Sequence, residues 1–152
     1  KRYDVKGKTY FNYPNKYYYT DIGLRNARLN YRQYDPGHIM ENIIYNELRM
    51  RGFNVDVGVV PVTKRTDGQQ VRGQYEIDFV CNLGSARYYI QSAYRMESEE
   101  KVAQEEASLR NVDDSFKKIV VLGEHTPVLR NEAGITTISI YDFLLNPRSL
   151  EL

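Results

Sequence analysis

The chain has 152 residues, with 21 lysines and arginines set against 20 aspartates and glutamates for a formal net charge of +1. That length suits one domain with a sizeable core, and the balance gives no bulk-charge argument for nucleic acid or a membrane surface. A single cysteine and two histidines exclude a disulfide framework and a Cys/His metal centre, no apolar run approaches the ~20 residues of a spanning helix, and no signal peptide opens the sequence.

A cytoplasmic, reducing compartment follows as the expectation, with no membrane partner and Cys81 as a small buried hydrophobe. The start at Lys1, inside a patterned segment and without a methionine, reads as a piece of a longer protein. Charge is distributed unevenly: Lys1 to His38 is basic, and Glu97 to Glu106 is rich in glutamate.

Residues 1–13 alternate aromatic or aliphatic with charged residues around Lys6-Gly7, which predicts a short hairpin too small to be a domain. Eight of the 14 tyrosines precede position 35. Beside lysine they could stack on bases and hold phosphates, or simply cover a sheet edge. Thr20 or Asp21 is placed to cap a short helix over Gly23–Asn30, and Asp35-Pro36-Gly37 then breaks the chain.

His38–Arg51 carries Ile39, Met40, Ile43, Ile44 and Leu48 at helical spacing and stops at Gly52. At 100 degrees per residue, Glu41 falls on the border of that stripe, whereas Glu47 falls near its middle and needs a partner. His38 and His125 lack metal-ligand spacing and read as surface residues. Phe53–Val62 is a valine-rich strand expected to end near Pro61, before a turn at Thr66-Asp67-Gly68.

Val71–Arg95 reads as a hairpin about Asn82-Leu83-Gly84-Ser85. Strict alternation puts Tyr75, Ile77 and Phe79 on one face and Glu76, Asp78 and Val80 on the other. Gln91 and Ala93 share a face, and folding about the turn brings Asp78 and Gln91 to near-diagonal positions. A helix capped by Ser98 follows, from Glu99 to about Val112. Lys118–Leu122 is a buried strand, Ile135–Ile140 a further strand, and Tyr141–Leu145 a final helical turn. The order is helix, three strands, helix, strand, an α/β pattern with a mixed sheet flanked by helices.

Magnesium takes hard oxygens, commonly one or two carboxylates with water, and a metal-dependent nuclease adds a group that steadies charge at the phosphate. A helix acid, a strand aspartate and an acid-x-lysine on the next strand meet that need. The corresponding positions here are Glu41, Asp78, Gln91 and Ala93.

In element order and in these positions the chain resembles the PD-(D/E)XK, or restriction-endonuclease-like, fold. More narrowly, it resembles the uncharacterised C-terminal domain of predicted prokaryotic AAA-type ATPases. The matching stretches are Lys16–Leu24, His38–Leu48, Glu76–Val80 and Tyr89–Gln91. The resemblance implies a restriction-endonuclease-like domain over residues 16–152 and a remnant hairpin of an upstream winged-helix-like segment over 1–15. It also implies an ATPase module in the same parent chain. ATP belongs to that upstream part, because no P-loop pattern occurs here. Glu41 and Asp78 are the implied ligands for Mg2+, with Gln91 in place of the usual acid.

The departure from the active pattern is Ala93 in the place of the lysine. Losing one preorganised electrostatic contact costs about 3 to 4 kcal/mol at the transition state. Arg95 or Arg87 are the available substitutes on that strand, and neither can act as a base. The expectation is a catalytically degenerate domain, not an enzyme by itself, that recognises a nucleic acid or a protein partner. The alternatives are a Mg-dependent nuclease with a relocated basic residue and an assembly module that binds no nucleic acid. Without any ligand, Glu41, Asp78 and Gln91 would be a self-satisfied polar cluster, with Glu76 paired to Arg72 or another cation.

Overall fold

The computed structural model describes residues 1–11, 14–66 and 69–152. The expected turn at Thr66-Asp67-Gly68 therefore lies largely outside the described residues, as do Asn12 and Tyr13 of the N-terminal hairpin. Among the described residues the elements are β1 (Arg2–Asp4), β2 (Tyr10–Phe11), α1 (Ile22–Arg28), α2 (Pro36–Met50), β3 (Asn54–Thr66), β4 (Gln69–Leu83), β5 (Ala86–Ala93), α3 (Glu99–Arg110), β6 (Lys117–Leu122), β7 (Leu129–Arg130), β8 (Ile135–Ser139) and α4 (Ile140–Leu145). They form an α/β domain around one mixed sheet in the order β2-β1-β3-β4-β5-β6-β8-β7. The expected helix-strand-strand-strand-helix-strand order is present as α2 to β6.

The helix starts follow side-chain chemistry. Asp21 caps α1 by accepting from Leu24 N, and Ser98 caps α3 by accepting from Lys101 N. Asp35-Pro36-Gly37, expected to break the chain, begins α2 instead. Asp35 is the N-cap, accepting from His38 N, and proline suits the first turn because its missing N–H has no partner there. Gly52, at φ +88, ends the helix. Glu47 finds its partner in Arg51, 2.8 Å away, whose guanidinium also holds Phe143 O and the Ser149 hydroxyl.

β3 does not end near Pro61 but runs on to Thr66 against β4. β1 pairs in parallel only with Val57–Val59, so β3 is an edge strand past that point, where the N–H that proline lacks is not needed. The N-terminal hairpin thus adds to the sheet edge. At the other end of the hairpin, Leu83 pairs with Ala86 across Gly84-Ser85, and Gly84 takes φ +58 as the turn requires.

Strict alternation on β4 fails at one place. Asp56 pairs with Val80 and Gly58 with Ile77, so Val57 alone faces both Asp78 and Phe79. This is a β-bulge, and it re-aims the side chains on either side of it. Ile77 and Val80 join the core cluster of Tyr89, Ala93, Leu109 and Val120, while Phe79 and Cys81 join the opposite cluster of Ile44, Leu48, Ile90 and Phe143. The pairing of Ile77 with Phe79 expected from the sequence is corrected accordingly. Cys81 is fully buried, and that burial pushes its thiol pKa up.

The bulge sits beside a fork. The β4–β5 ladder stops at Phe79–Ile90, whereas β5 continues against β6 as far as Ala93–Leu122. Helix α2 covers one face of the sheet at this point and α3 the other, so the fork opens between them.

Gly58 is needed at the bulge for space. A Cβ there would lie 2.8 Å from Val80 Cγ2 and 3.0 Å from Ile77 Cβ. Gly58→Ala is expected to destabilise the domain by about 1 to 3 kcal/mol, the usual cost of overpacking. Gly73→Ala, whose Cβ would meet Val62 Cγ2 at 3.6 Å, is expected to be neutral or better. Urea unfolding of both variants checks the contrast, and equal stabilities would contradict it.

Candidate functional site

The fork leaves backbone groups that the ladder no longer pairs, and side chains take over. Ser92 N donates to Asp78 Oδ2 at 3.0 Å, and Asp78 N donates to Gln91 Oε1 at 3.3 Å. Gln91 Oε1 also accepts from the Ser108 hydroxyl of α3 at 3.4 Å. From the other side α2 presents Glu41. The three residues line one cleft of about 490 Å3, together with His38, Tyr94, Arg95 and Lys101.

Glu41 and Asp78 are joined by a residue that the strand pattern did not suggest. Lys16, on the irregular segment before α1, places its Nζ 3.0 Å from Glu41 Oε1, 3.3 Å from Asp78 Oδ1 and 2.7 Å from Glu76 Oε1. Glu76, expected near Arg72 or another cation, is held by Arg2 as well as Lys16. The Tyr18 hydroxyl donates to Glu41 Oε1 at 2.6 Å, and its ring stacks on Tyr45 at 4.1 Å. The Asn42 side chain bonds both the N–H and the carbonyl of Tyr19, and Asn46 reaches the carbonyls of Tyr19 and Thr20. The segment is thus a strap tied along α2 with its ammonium delivered into the acids.

The electrostatics follow from this packing. Burial raises the Asp78 pKa to about 6, with the Glu41 charge adding to the rise while Lys16 and the Ser92 amide oppose it. For Lys16, burial alone would lower the pKa, but the charge of Asp78 and the contacts with Glu76 and Glu41 outweigh it and the net shift is upward. Burial, with the Glu41 charge behind it, also holds the Tyr18 phenol up, so it stays a hydrogen-bond donor.

The expected substitutes for the strand lysine are employed elsewhere. Arg95 lines the cleft but pairs with Glu97 at 3.3 Å and Glu124 at 3.7 Å. Arg87 is near the turn, bonded to Asn82 and over the rings of Tyr3 and Phe116. Ala93 is 2% exposed in the cluster beneath α3. His38 bonds Asp35 at the start of α2, and His125 stacks on Tyr141.

The implied Mg2+ can be tested against this geometry. Octahedral magnesium needs oxygens at about 2.0 to 2.1 Å, whereas the three carboxylate oxygens stand 2.7–3.3 Å from a common centre that Lys16 Nζ fills. Those are ammonium distances. Among the described residues no group of three or more histidine, cysteine, aspartate or glutamate side chains is arranged to hold a metal. With Lys16 in place, the cage does not fit the ion.

Comparison with known proteins gives two findings. The family described as a domain of unknown function (DUF4143) matches residues 36–143, a span that holds Glu41, Asp78 and Gln91 but not Lys16. A protein of Haemophilus influenzae described as uncharacterized is 30% identical over 145 residues, covering 95% of this chain and 32% of that protein. The chain therefore spans about a third of the relative's length. No solved structure matches it. No helix among the described residues is long and apolar enough to cross a membrane.

The raised Asp78 pKa has a definite sign for stability. A carboxyl that holds its proton more tightly when folded stabilises most below its ordinary value of 3.8, and that contribution is lost as pH rises through about 6. Lys16→Met removes the charge that holds Asp78 down. Its titration midpoint, followed by the carbon shift of the carboxyl group, is then expected above about 6, and an unchanged or lower midpoint would contradict the geometry described.

Proposed function

We propose that this chain, which belongs to the family of domains of unknown function designated DUF4143, is a restriction-endonuclease-like domain that has lost catalysis and serves recognition. In this reading it acts at the C-terminal end of an AAA-type ATPase. Residues 16–152 are the nuclease-like unit, and residues 1–15 are the edge of an upstream winged-helix-like segment resting on β3. An ATPase module of the parent chain binds ATP and supplies the energy. That this chain covers 32% of its Haemophilus relative is consistent with such a module.

One observation carries the reading. Glu41 of α2 and Asp78 meet at the β4–β5 fork, where a nuclease of this type would hold its metal, yet the cation between them is Lys16. Ala93 offers no charge on β5, and Gln91 is turned to Asp78 N and Ser108. The cleft has its acids, and among the described residues no group of side chains is arranged to hold a metal.

The same lysine supports a second reading. A basic side chain beside Asp78 is what a nuclease with a relocated lysine would need, if metal and ammonium occupied the cleft together. The third class, an assembly module, draws on the exposed Tyr17, Leu24, Tyr31 and Tyr34 around α1, which bury little against the rest of the chain.

Recognition of nucleic acid would run outside the cleft. Lys16, Arg95 and Lys101 are each already paired with carboxylates. Arg28 and Arg32, beside Tyr31 and Tyr34, enter no ion pair among the described residues. In this reading phosphate contacts are assigned to the α1 side, where these arginines lie beside tyrosines able to stack on bases.

Labelled single- and double-stranded DNA and RNA, incubated with the domain and Mg2+ or Mn2+, are expected to remain uncut. Metal-dependent cutting abolished by Asp78→Ala would establish the second reading. In polarisation binding, Arg28→Ala with Arg32→Ala is expected to weaken nucleic-acid affinity and flatten its salt dependence, while Asp78→Ala leaves both unchanged. Absence of binding even at low salt would favour assembly.

A further inference from the structure

A buried carboxylate cluster needs a compensating cation, and in a nuclease-like cleft that cation is ordinarily a metal. Here the cluster comprises Glu41 from α2 with Glu76 and Asp78 from β4, and a single Nζ lies within 3.3 Å of an oxygen from each. The carrier of that Nζ is part of the build. Asn42 and Asn46 pin the strap backbone to α2, Tyr18 shares Glu41 Oε1 with Lys16, and the Lys16 side chain is only 25% exposed. An exposed lysine drifting across an acidic patch would have none of these supports.

We infer that the Lys16 ammonium is the resident cation of this cleft, held by Glu41, Glu76 and Asp78 in place of a divalent metal. The inference rests on the nuclease-like reading for the ancestry of the site, but its content is separate: which cation the site takes. It also names Glu76 as the third acid of the cluster, where the strand pattern pointed to Gln91. Gln91 acts from behind as an acceptor for Asp78 N and Ser108, and so positions the aspartate without touching the cation.

The chemistry favours exclusion rather than sharing. A divalent ion at bonding distance from Glu41 and Asp78 would stand within a few ångströms of Lys16 Nζ, and like charges that close repel strongly where water screens them poorly. The carboxylates would also have to close in by about 1 Å from ammonium to metal distances. Either the strap stays and metal is kept out, or the strap leaves and the acids are free to contract around an ion.

The test uses Mn2+ as the probe and binding as the readout. In the wild-type chain, amide resonances of Asp78, Ser92 and Glu41 are expected to show no saturable paramagnetic broadening. In Lys16→Met, broadening centred on those residues should appear, with Mn2+ held about tenfold or more tighter than by wild type, and Asp78→Asn added to that variant should remove it. Saturable broadening of Asp78 and Glu41 in the wild type would overturn the inference, as would a Lys16→Met chain that binds no tighter. The wild-type measurement decides even if the variant unfolds. Binding without cutting would defeat the resident lysine alone, whereas cutting that depends on Asp78 would also defeat the degenerate reading above.

Discussion

The neutralisation of Asp78 constrains everything around it. Its side chain is 13% exposed, at the point where β4 and β5 separate, and a carboxylate so placed loses most of its hydration. The desolvation penalty for an isolated ion is several kcal/mol, while one well-placed opposite charge returns about 4 kcal/mol at an effective dielectric near 20. Lys16 and the Ser92 amide supply part of that compensation, and burial with the Glu41 charge still leaves the carboxyl raised to about 6. The strap that bears Lys16 must therefore lie along α2, and the amides of Asn42 and Asn46, which would otherwise be idle on a helix surface, keep it there.

The bulge and the fork give Asp78 this position. Two residues of β4 opposite Val57 alone turn Asp78 and Phe79 out of the alternation, and the loss of ladder pairing beyond Ile90 opens room for Glu41 to approach. Gly58 makes this possible, because Ile77 and Val80 both crowd the space where its side chain would be. A backbone irregularity, a small residue and a polar cluster are in this way parts of one local solution.

Much of this was legible in the sequence. The 3.6-residue stripe of Ile39, Met40, Ile43, Ile44 and Leu48 marks α2, the glycine turn marks the β4–β5 hairpin and with it the nearness of Asp78 to Gln91, whereas the placing of Glu41 beside them is what the resemblance implies. The bulge was missed because Tyr75, Ile77 and Phe79 alternate so regularly. The one available signal lay on the partner strand, where Gly58 interrupts a valine run and glycine inside a strand often marks close backbone approach. The start of α2 was misplaced because Asp35-Pro36-Gly37 carries turn chemistry and cap chemistry alike. Lys16 was missed for a different reason: it lies 62 residues from Asp78 along the chain, in a segment without periodicity. The cations on or just past β5 are Arg87 and Arg95.

Ala93 and Lys16 form a pair in physical terms although they never meet. At position 93 the chain has filled the space with Leu109, Val120 and Leu122 packed beneath α3, so a lysine stem there would have to displace core side chains before its charge could reach the fork. Introducing a lysine at that position would thus cost packing, while the acids would still be occupied by the strap. The cation of the cleft comes from the N-terminal segment and not from the sheet. A displacement of the strap would leave Glu41, Glu76 and Asp78 with Arg2 as the only cation paired to them among the described residues, and three carboxylates against two cations would become three against one.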